Sequence, residues 1–412
     1  MSSTALLITL LIIITAEFIF SKILEYLNYK SLIDVLPVEL KGIVGEEKYK
    51  KSIAYNRENS RFSWITSSLS FLLVFILILT GFFGGLDRWL RNFIHNEILL
   101  GLVFFGILAF LANLLSTPFD LYDTFVIEEK YGFNKTTPRI YVTDKLKGYL
   151  LTAVIGGGIL SLLLLMVNRM GPSFWIFFWV AFAAFMLFMN MFYTTLIVPL
   201  FNKLTPLEEG DLKKSIESYS NGVHFPLENI YVIDGSKRSS KSNAFFSGFG
   251  RKKKVILYDT LIRNHTAEEL VAVLAHEVGH YKKKHILWSY VISLVQTGLL
   301  LYIMSFLLFS SEISKALGAV QTGIHVNLLA FGILISPLNH ILGIFMAIYS
   351  RENEYQADAF AAQTYRSLPL QKALKKLSVD NLGHLTPHPA YVFFNYSHPP
   401  LLARLESLKK FP

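Results

Sequence analysis

Hydrophobic residues in this chain come in long blocks rather than in the short alternations of a water-soluble fold. Seven blocks reach the length of about 20 apolar residues that a helix needs to cross a bilayer: 4–21, 64–85, 98–118, 149–168, 174–200, 286–308 and 325–349. The longest polar stretch, 201–285, lies between the fifth and sixth blocks. Within it, Glu208 to Ser220 has the spacing of an amphipathic helix. Asn229–Ile233 and Lys254–Tyr258 read as short strands, separated by the polar, glycine-containing run Ser236–Gly250. A small hairpin or sheet is expected there, and an exposed strand edge on it could hold an extended peptide. The pattern predicts an all-α polytopic membrane protein in four parts. Residues 1–200 hold five spans, 201–285 a cytosolic segment, 286–349 two further spans and 350–412 a second cytosolic segment.

Composition agrees with this layout. The chain is 52% hydrophobic and 17% charged, with mean hydropathy +0.43. Met1 to Thr4 carry no basic residue, and no small-x-small site follows the first block, so it reads as a span rather than a cleaved leader. Lysine and arginine alternate across the layout. The segment before the first span has none, the segments between spans hold 8, 2, 5, 1, 14 and 1, and the tail holds 8. By the positive-inside rule the N-terminus is outside or lumenal, and 201–285 and the C-terminus are cytosolic. The net charge of +9 therefore needs no nucleic acid. Runs such as Arg251–Lys254 and Lys282–Lys284 suit anionic headgroups. With no cysteine, disulfides and thiolate metal ligation are excluded.

The candidate chemistry centres on His276-Glu277-Val278-Gly279-His280, an H-E-x-x-H motif closing a proline-free helical run from Thr266. Positions i and i+4 share one helix face. Both imidazoles can reach one Zn²⁺, with Glu277 beside it as general base. A third ligand is needed. A histidine six residues after the second is ruled out, because that position is Ile286. Further on, Glu354 and Asp358 are i and i+4 in Ser350–Asp358. Glu354 is the expected ligand and Asp358 the carboxylate that orients a ligating histidine. Glu352 competes for the ligand role but lacks an i+4 carboxylate.

Other polar residues inside predicted spans are Glu17, Asn113, Asn190, Asn339 and His340, which are expected to face the interior. Gly156-Gly157-Gly158 is expected to permit close helix packing rather than substrate passage. Glu128 and Glu129 are expected in a solvated loop or in structural ion pairs.

Several further stretches carry a family resemblance. They are Glu128–Thr137, Pro199–Leu207, Asp234–Ser239, Ser242–Phe246 and Ser397–Leu402, together with the two metal motifs. From about residue 30 to the end, and in the same order, the chain resembles the integral-membrane type I zinc CaaX prenyl endoproteases. The resemblance implies seven helices forming a barrel around a water-filled chamber, with one zinc ion at its cytosolic end. It implies that His398 stabilises the transition state and that Asn243 contacts the substrate backbone. The competing readings are a turn residue before Pro399 and Pro400, and an ordinary turn residue, respectively.

The expected activity is hydrolysis of peptide bonds near the C-terminus of isoprenylated CaaX-type substrates at a lipid bilayer. A broad quality-control membrane protease, similar to HtpX-type relatives, is the alternative within the enzyme class. A transporter or channel with a structural zinc site is the alternative outside it, disfavoured because a structural site has no use for Glu277. Lys409-Lys410-Phe411-Pro412 fits a dilysine retrieval pattern, so the endoplasmic reticulum is expected in a eukaryote and the inner membrane in a bacterium.

Overall fold

The computed structural model describes every residue except 37, 43, 248–252 and 412. Arg251 and Lys252 of the Arg251–Lys254 run therefore lie outside the described residues. The apolar blocks form long helices. α1 (Ser3–Lys30) and α2 (Glu46–Leu79) pair along their length. α3 (Phe82–Arg91) is short, and α4 (Glu97–Tyr122) continues as a π-turn to Glu128. α5 (Pro138–Leu151) runs through a second π-turn, Thr152–Gly156, into α6 (Gly157–Met170). α7 (Phe174–Leu196) and the single turn α8 (Val198–Phe201) follow.

Among the described residues, five helical segments are long and apolar enough to cross a membrane: Ser3–Lys30, Glu46–Leu79, Glu97–Glu128, Pro138–Phe201 and His285–Leu307. A bent pair, Ile324–Leu334 with Ser336–Thr364, makes a sixth when counted as one span. The protein is a multi-pass membrane protein. Two predicted boundaries move for local reasons. The span predicted over 64–85 ends at Leu79, where Gly81 turns left-handed (φ 66°) and restarts the chain as α3. The span predicted over 325–349 is broken at Ile335, where Pro337 removes a backbone donor and the two halves meet at 50°.

The polar segment carries β1 (Leu204–Pro206), α9 (Asp211–Gly222), β2 (Leu227–Ile233), β3 (Ala244–Ser247) and β4 (Lys253–Tyr258). Both predicted strands exist, but they pair in parallel rather than as a hairpin. The sheet order is β1-β2-β4-β3, with β1 and β3 antiparallel to their neighbours. Alternation splits β4 between two cores. Val255 and Leu257 face the main core, and Ile256 packs with Val198 and Ile233 on the other side.

After α10 (Asp259–Asn264) comes α11 (Ala267–Lys282), the central helix. Its start is set by a capping box. Thr266 Oγ1 accepts from the Glu269 N–H at 3.3 Å, and Glu269 Oε2 accepts from the Thr266 N–H at 3.0 Å. Leu270, Val271, Ala272, Leu274, Ala275 and Val278 are all buried, so this helix is walled in on most sides. α12 (His285–Leu307), α13 (Ser311–Ala316), α14 (Ile324–Leu334) and α15 (Ser336–Thr364) follow. α16 (Ser367–Asp380), α17 (Pro389–Asn395) and α18 (Leu401–Leu408) complete the tail. α11 packs most extensively on α15. Gly279 sets their separation, since a methyl group there would stand 2.9 Å from Ala357 Cα.

The glycine run 156–158 does not serve close packing. A Cβ at Gly157 or Gly158 would meet nothing within 4 Å. These residues line a groove of about 1,020 Å³ between α4 and α5–α6, where Thr152–Gly156 is wound as a π-turn. Glu128 lies in a structural ion pair, accepting from Lys241 Nζ at 2.8 Å and from the Tyr55 hydroxyl. Asn339 and His340 line a cavity of about 540 Å³ that runs along α15 to Ser397. Glu17 lies 3.5 Å from His340.

Candidate metal centre

α11 and α15 bring three candidate metal ligands together. His276 and His280 are one helical turn apart on α11, with their Nε2 atoms 3.1 Å apart. Glu354 comes from α15. Its Oε1 is 3.2 Å from His280 Nε2, and its Oε2 is 3.5 Å from His276 Nε2. One ligand atom from each of the three lies within 4.8 Å of the others.

The hydrogen-bond network decides what these atoms offer. Asp358 Oδ1 is 2.8 Å from His276 Nδ1. A carboxylate only accepts, so Nδ1 carries the proton and Nε2 can present a lone pair. Asp358 is itself gripped by Arg404, whose Nε donates to Oδ2 at 2.8 Å and whose Nη2 donates to Oδ1 at 2.6 Å. Arg404 Nη1 stands 3.3 Å from Glu354 Oε2. Even so, Glu354 Oε2 is buried with no hydrogen-bond partner. Two inward-facing imidazole nitrogens and an unsatisfied carboxylate oxygen leave a gap that suits one cation.

The electrostatics agree. Burial pulls the His276 pKa down, but hydrogen bonds to Asp358 and Glu354 outweigh it and raise it to about 9. The site thus draws in one positive charge, a proton or a metal ion, and the two compete. Glu277 is half-buried on the same helix. Burial pushes its carboxyl above the ordinary range, against the opposing pull of His276 and His280.

The other expected residues fall in two places. His398 is exposed and stands at the edge of the cluster, its Nε2 3.4 Å from Glu354 Oε1 and its Nδ1 3.0 Å from Ser397 Oγ. Asn243 is exposed immediately before β3, an edge strand, and its Oδ1 accepts from the Ala244 N–H at 2.8 Å. Among the described residues, no hydrogen bond or ion pair joins Asn243 to His276, His280 or Glu354. Glu352, the competing ligand candidate, instead accepts from Gln356 Nε2 at 3.3 Å.

Sequence reasoning missed Arg404 and His285. Arg404 follows the Ser397–Leu402 stretch by two positions, so the signal was adjacent but carried no spacing rule. His285 Nδ1 lies 3.0 Å from His280 Nδ1. It is five residues from His280, a spacing that an unbroken helix does not align.

A helical membrane scaffold presenting a metal-binding trio beside a carboxylate defines a membrane metallopeptidase. The sequence comparisons give the family. Residues 25–203 match CAAX prenyl protease N-terminal, five membrane helices, and residues 206–411 match Peptidase family M48. The chain belongs to the M48 peptidase family, whose members generally hold zinc. It is 35% identical over 403 residues to a CAAX prenyl protease 1 homolog of Arabidopsis thaliana, covering 93% of each chain. It is 34% identical to CAAX prenyl protease 1 of Saccharomyces cerevisiae, covering 95% of this chain and 93% of that one. The crystal structure of S. mikatae Ste24p superposes with a TM-score of 0.93 at 33% identity, covering 98% of this chain and 99% of that one.

Proposed function

We propose that this protein is a zinc endopeptidase that cleaves isoprenylated CaaX-type C-terminal peptides at the membrane. The observation that carries the reading is the convergence of His276 Nε2, His280 Nε2 and Glu354 beside Glu277, in a chain whose curated relatives are named CAAX prenyl proteases. His276, His280 and Glu354 are the ligands in this reading. A bound Zn²⁺ supplies Lewis-acid polarisation of the scissile carbonyl and activation of water near neutral pH.

The chain's own residues supply the rest. Glu277 takes the proton of the attacking water and returns it to the leaving amine nitrogen. His398 donates through Nε2–H to the carbonyl oxygen as that oxygen gains charge. Asp358, braced by Arg404, keeps the His276 ring turned with Nε2 inward. Asn243 and the free edge of β3 hold the substrate backbone extended.

The membrane layout is seven spans around a chamber. The 64-residue segment Pro138–Phe201 would be about 96 Å long at 1.5 Å per residue, several times a bilayer's thickness. Gly171 (φ 55°) breaks it, and α6 packs back on α7. Counting these as two spans, and the bent pair as one, gives seven. The alternation of basic residues supports a cytosolic site and C-terminus.

The test is cleavage by detergent-purified protein of a farnesylated CaaX peptide and its unprenylated twin, with and without a zinc chelator. Chelator-sensitive cleavage that favours the farnesylated peptide is the expected result. Equal cleavage of both peptides removes prenyl selectivity from the reading. Cleavage that survives chelation removes the metal centre.

A further inference from the structure

We propose that His285 and Gln356 are positioning residues that set the tautomer of His280, and that Gln356 is in turn oriented by Glu352. The proposal rests on the reading of His276, His280 and Glu354 as metal ligands.

A histidine that ligates through Nε2 must hold its proton on Nδ1. For His276 a carboxylate enforces this. His280 has no carboxylate at Nδ1; its partner there is His285 Nδ1 at 3.0 Å. Two imidazole nitrogens facing each other leave the direction of the bond open, because either can donate. The residues beyond His285 resolve it.

His285 Nε2 lies 3.2 Å from Gln356 Oε1. Gln356 Nε2 lies 3.3 Å from Glu352 Oε1, one helical turn earlier on α15. The Glu352 carboxylate only accepts, so it fixes the amide with nitrogen towards Glu352 and oxygen towards His285. The amide oxygen then takes the His285 Nε2 proton. His285 Nδ1 is left as an acceptor, and the proton of the shared bond belongs to His280 Nδ1. His280 Nε2 therefore points a lone pair at His276 Nε2 and Glu354, 3.1 and 3.2 Å away. Glu352, the residue passed over as a ligand, is the anchor of this chain.

Backbone geometry brings His285 within reach. Lys284, between α11 and α12, is left-handed with φ 59° and ψ 28°. A non-glycine residue in that region is strained and persists only where its surroundings demand it. Here the turn swings the fifth residue after His280 back over it, with the ring centroids 5.1 Å apart at 74°. His285 is buried, so water does not replace it as the acceptor.

The experiment measures metal affinity of the full-length detergent-purified protein. Zn²⁺ is titrated against a competing chelating dye, independently of peptide cleavage. His285→Leu removes the acceptor and is expected to weaken Zn²⁺ binding by about 10–100-fold. His285→Asn can place an amide oxygen near His280 Nδ1 and should recover most of that loss. At position 356 the variants are a polarity test. Gln356→Glu keeps an acceptor facing His285 and should hold affinity within about threefold, whereas Gln356→Met should lose about tenfold. Thermal unfolding of each apo protein shows that the fold is retained. Unchanged affinity in folded His285→Leu overturns the relay. Equal losses in Gln356→Glu and Gln356→Met also overturn it, because the effect would then be packing. If the unsubstituted protein binds no Zn²⁺, the ligand assignment itself falls, and the relay with it.

Discussion

Gly279→Ala is the most discriminating single change, because it probes the spacing between the two helices that build the site. A methyl group at 279 would stand 2.9 Å from Ala357 Cα, 3.1 Å from the Ala357 carbonyl oxygen and 3.2 Å from Phe360 Cβ. Carbon atoms pack at about 3.5–4.0 Å, so α15 must retreat by roughly 0.5–1 Å. Two of the three obstacles are backbone atoms and the third is a Cβ, so no side-chain rotation relieves them. Overpacking of this kind costs about 1–3 kcal/mol.

Ala357 lies between Glu354 and Asp358, so the retreat carries both carboxylates away from His276 and His280. Productive sites tolerate about 0.5 Å of displacement. Zn²⁺ affinity is expected to fall at least tenfold, together with a lower unfolding temperature. Gly332→Ala is the control, since a Cβ there meets nothing within 4 Å. It should leave metal binding unchanged and add up to about 1 kcal/mol through helix propensity. The assays are chelator-competition titration of Zn²⁺ and thermal unfolding in detergent. If Gly279→Ala binds Zn²⁺ as tightly as the unsubstituted protein, the contact between α11 and α15 does not set the ligand geometry, and the reasoning fails.

Three more outcomes are expected. Glu277→Gln should retain one metal ion per chain by elemental analysis yet lose about 10²–10⁴-fold in peptide turnover; turnover near the unsubstituted rate would remove Glu277 as the base. In the metal-free protein the Glu277 carboxyl should titrate above an ordinary glutamate, because burial raises its pKa. It should take up its proton as pH falls through that raised midpoint; a titration of the metal-free protein by NMR that places it at the ordinary value would contradict the assignment. Arg404→Met leaves the buried Asp358 carboxylate without its cationic partner. It should destabilise the fold by about 3–5 kcal/mol in chemical unfolding and weaken Zn²⁺ binding; a neutral result would mean that His276 alone satisfies Asp358.

Two kinds of information divide this protein. What rests on local periodicity was legible in the sequence. An i, i+4 spacing places His276 with His280, and Glu354 with Asp358, wherever the chain is helical. A long apolar run must be buried in lipid whatever its neighbours are. The acceptor-only carboxylate of Asp358 was assignable as a histidine partner for the same reason.

What rests on packing between distant segments was not legible. Asp358 meets Arg404 across 46 positions and His276 across 82, and no local rule links such residues. The parallel pairing of β2 with β4 depends on where the intervening strand β3 is seated, and hydrophobic alternation does not report strand direction. Gly156–Gly158 has the composition of a packing motif, but only the path of α4 past α5–α6 shows that nothing packs there. Likewise, five residues separate His280 from His285, and only the left-handed turn at Lys284 makes them neighbours. The sequence by itself determined which residues could bind a metal and that the chain lives in a membrane, because those follow from side-chain chemistry and helical repeat. The tertiary structure decided how each candidate ligand is oriented and held, because that depends on atoms brought together only when α11, α12, α15 and α18 close around one point.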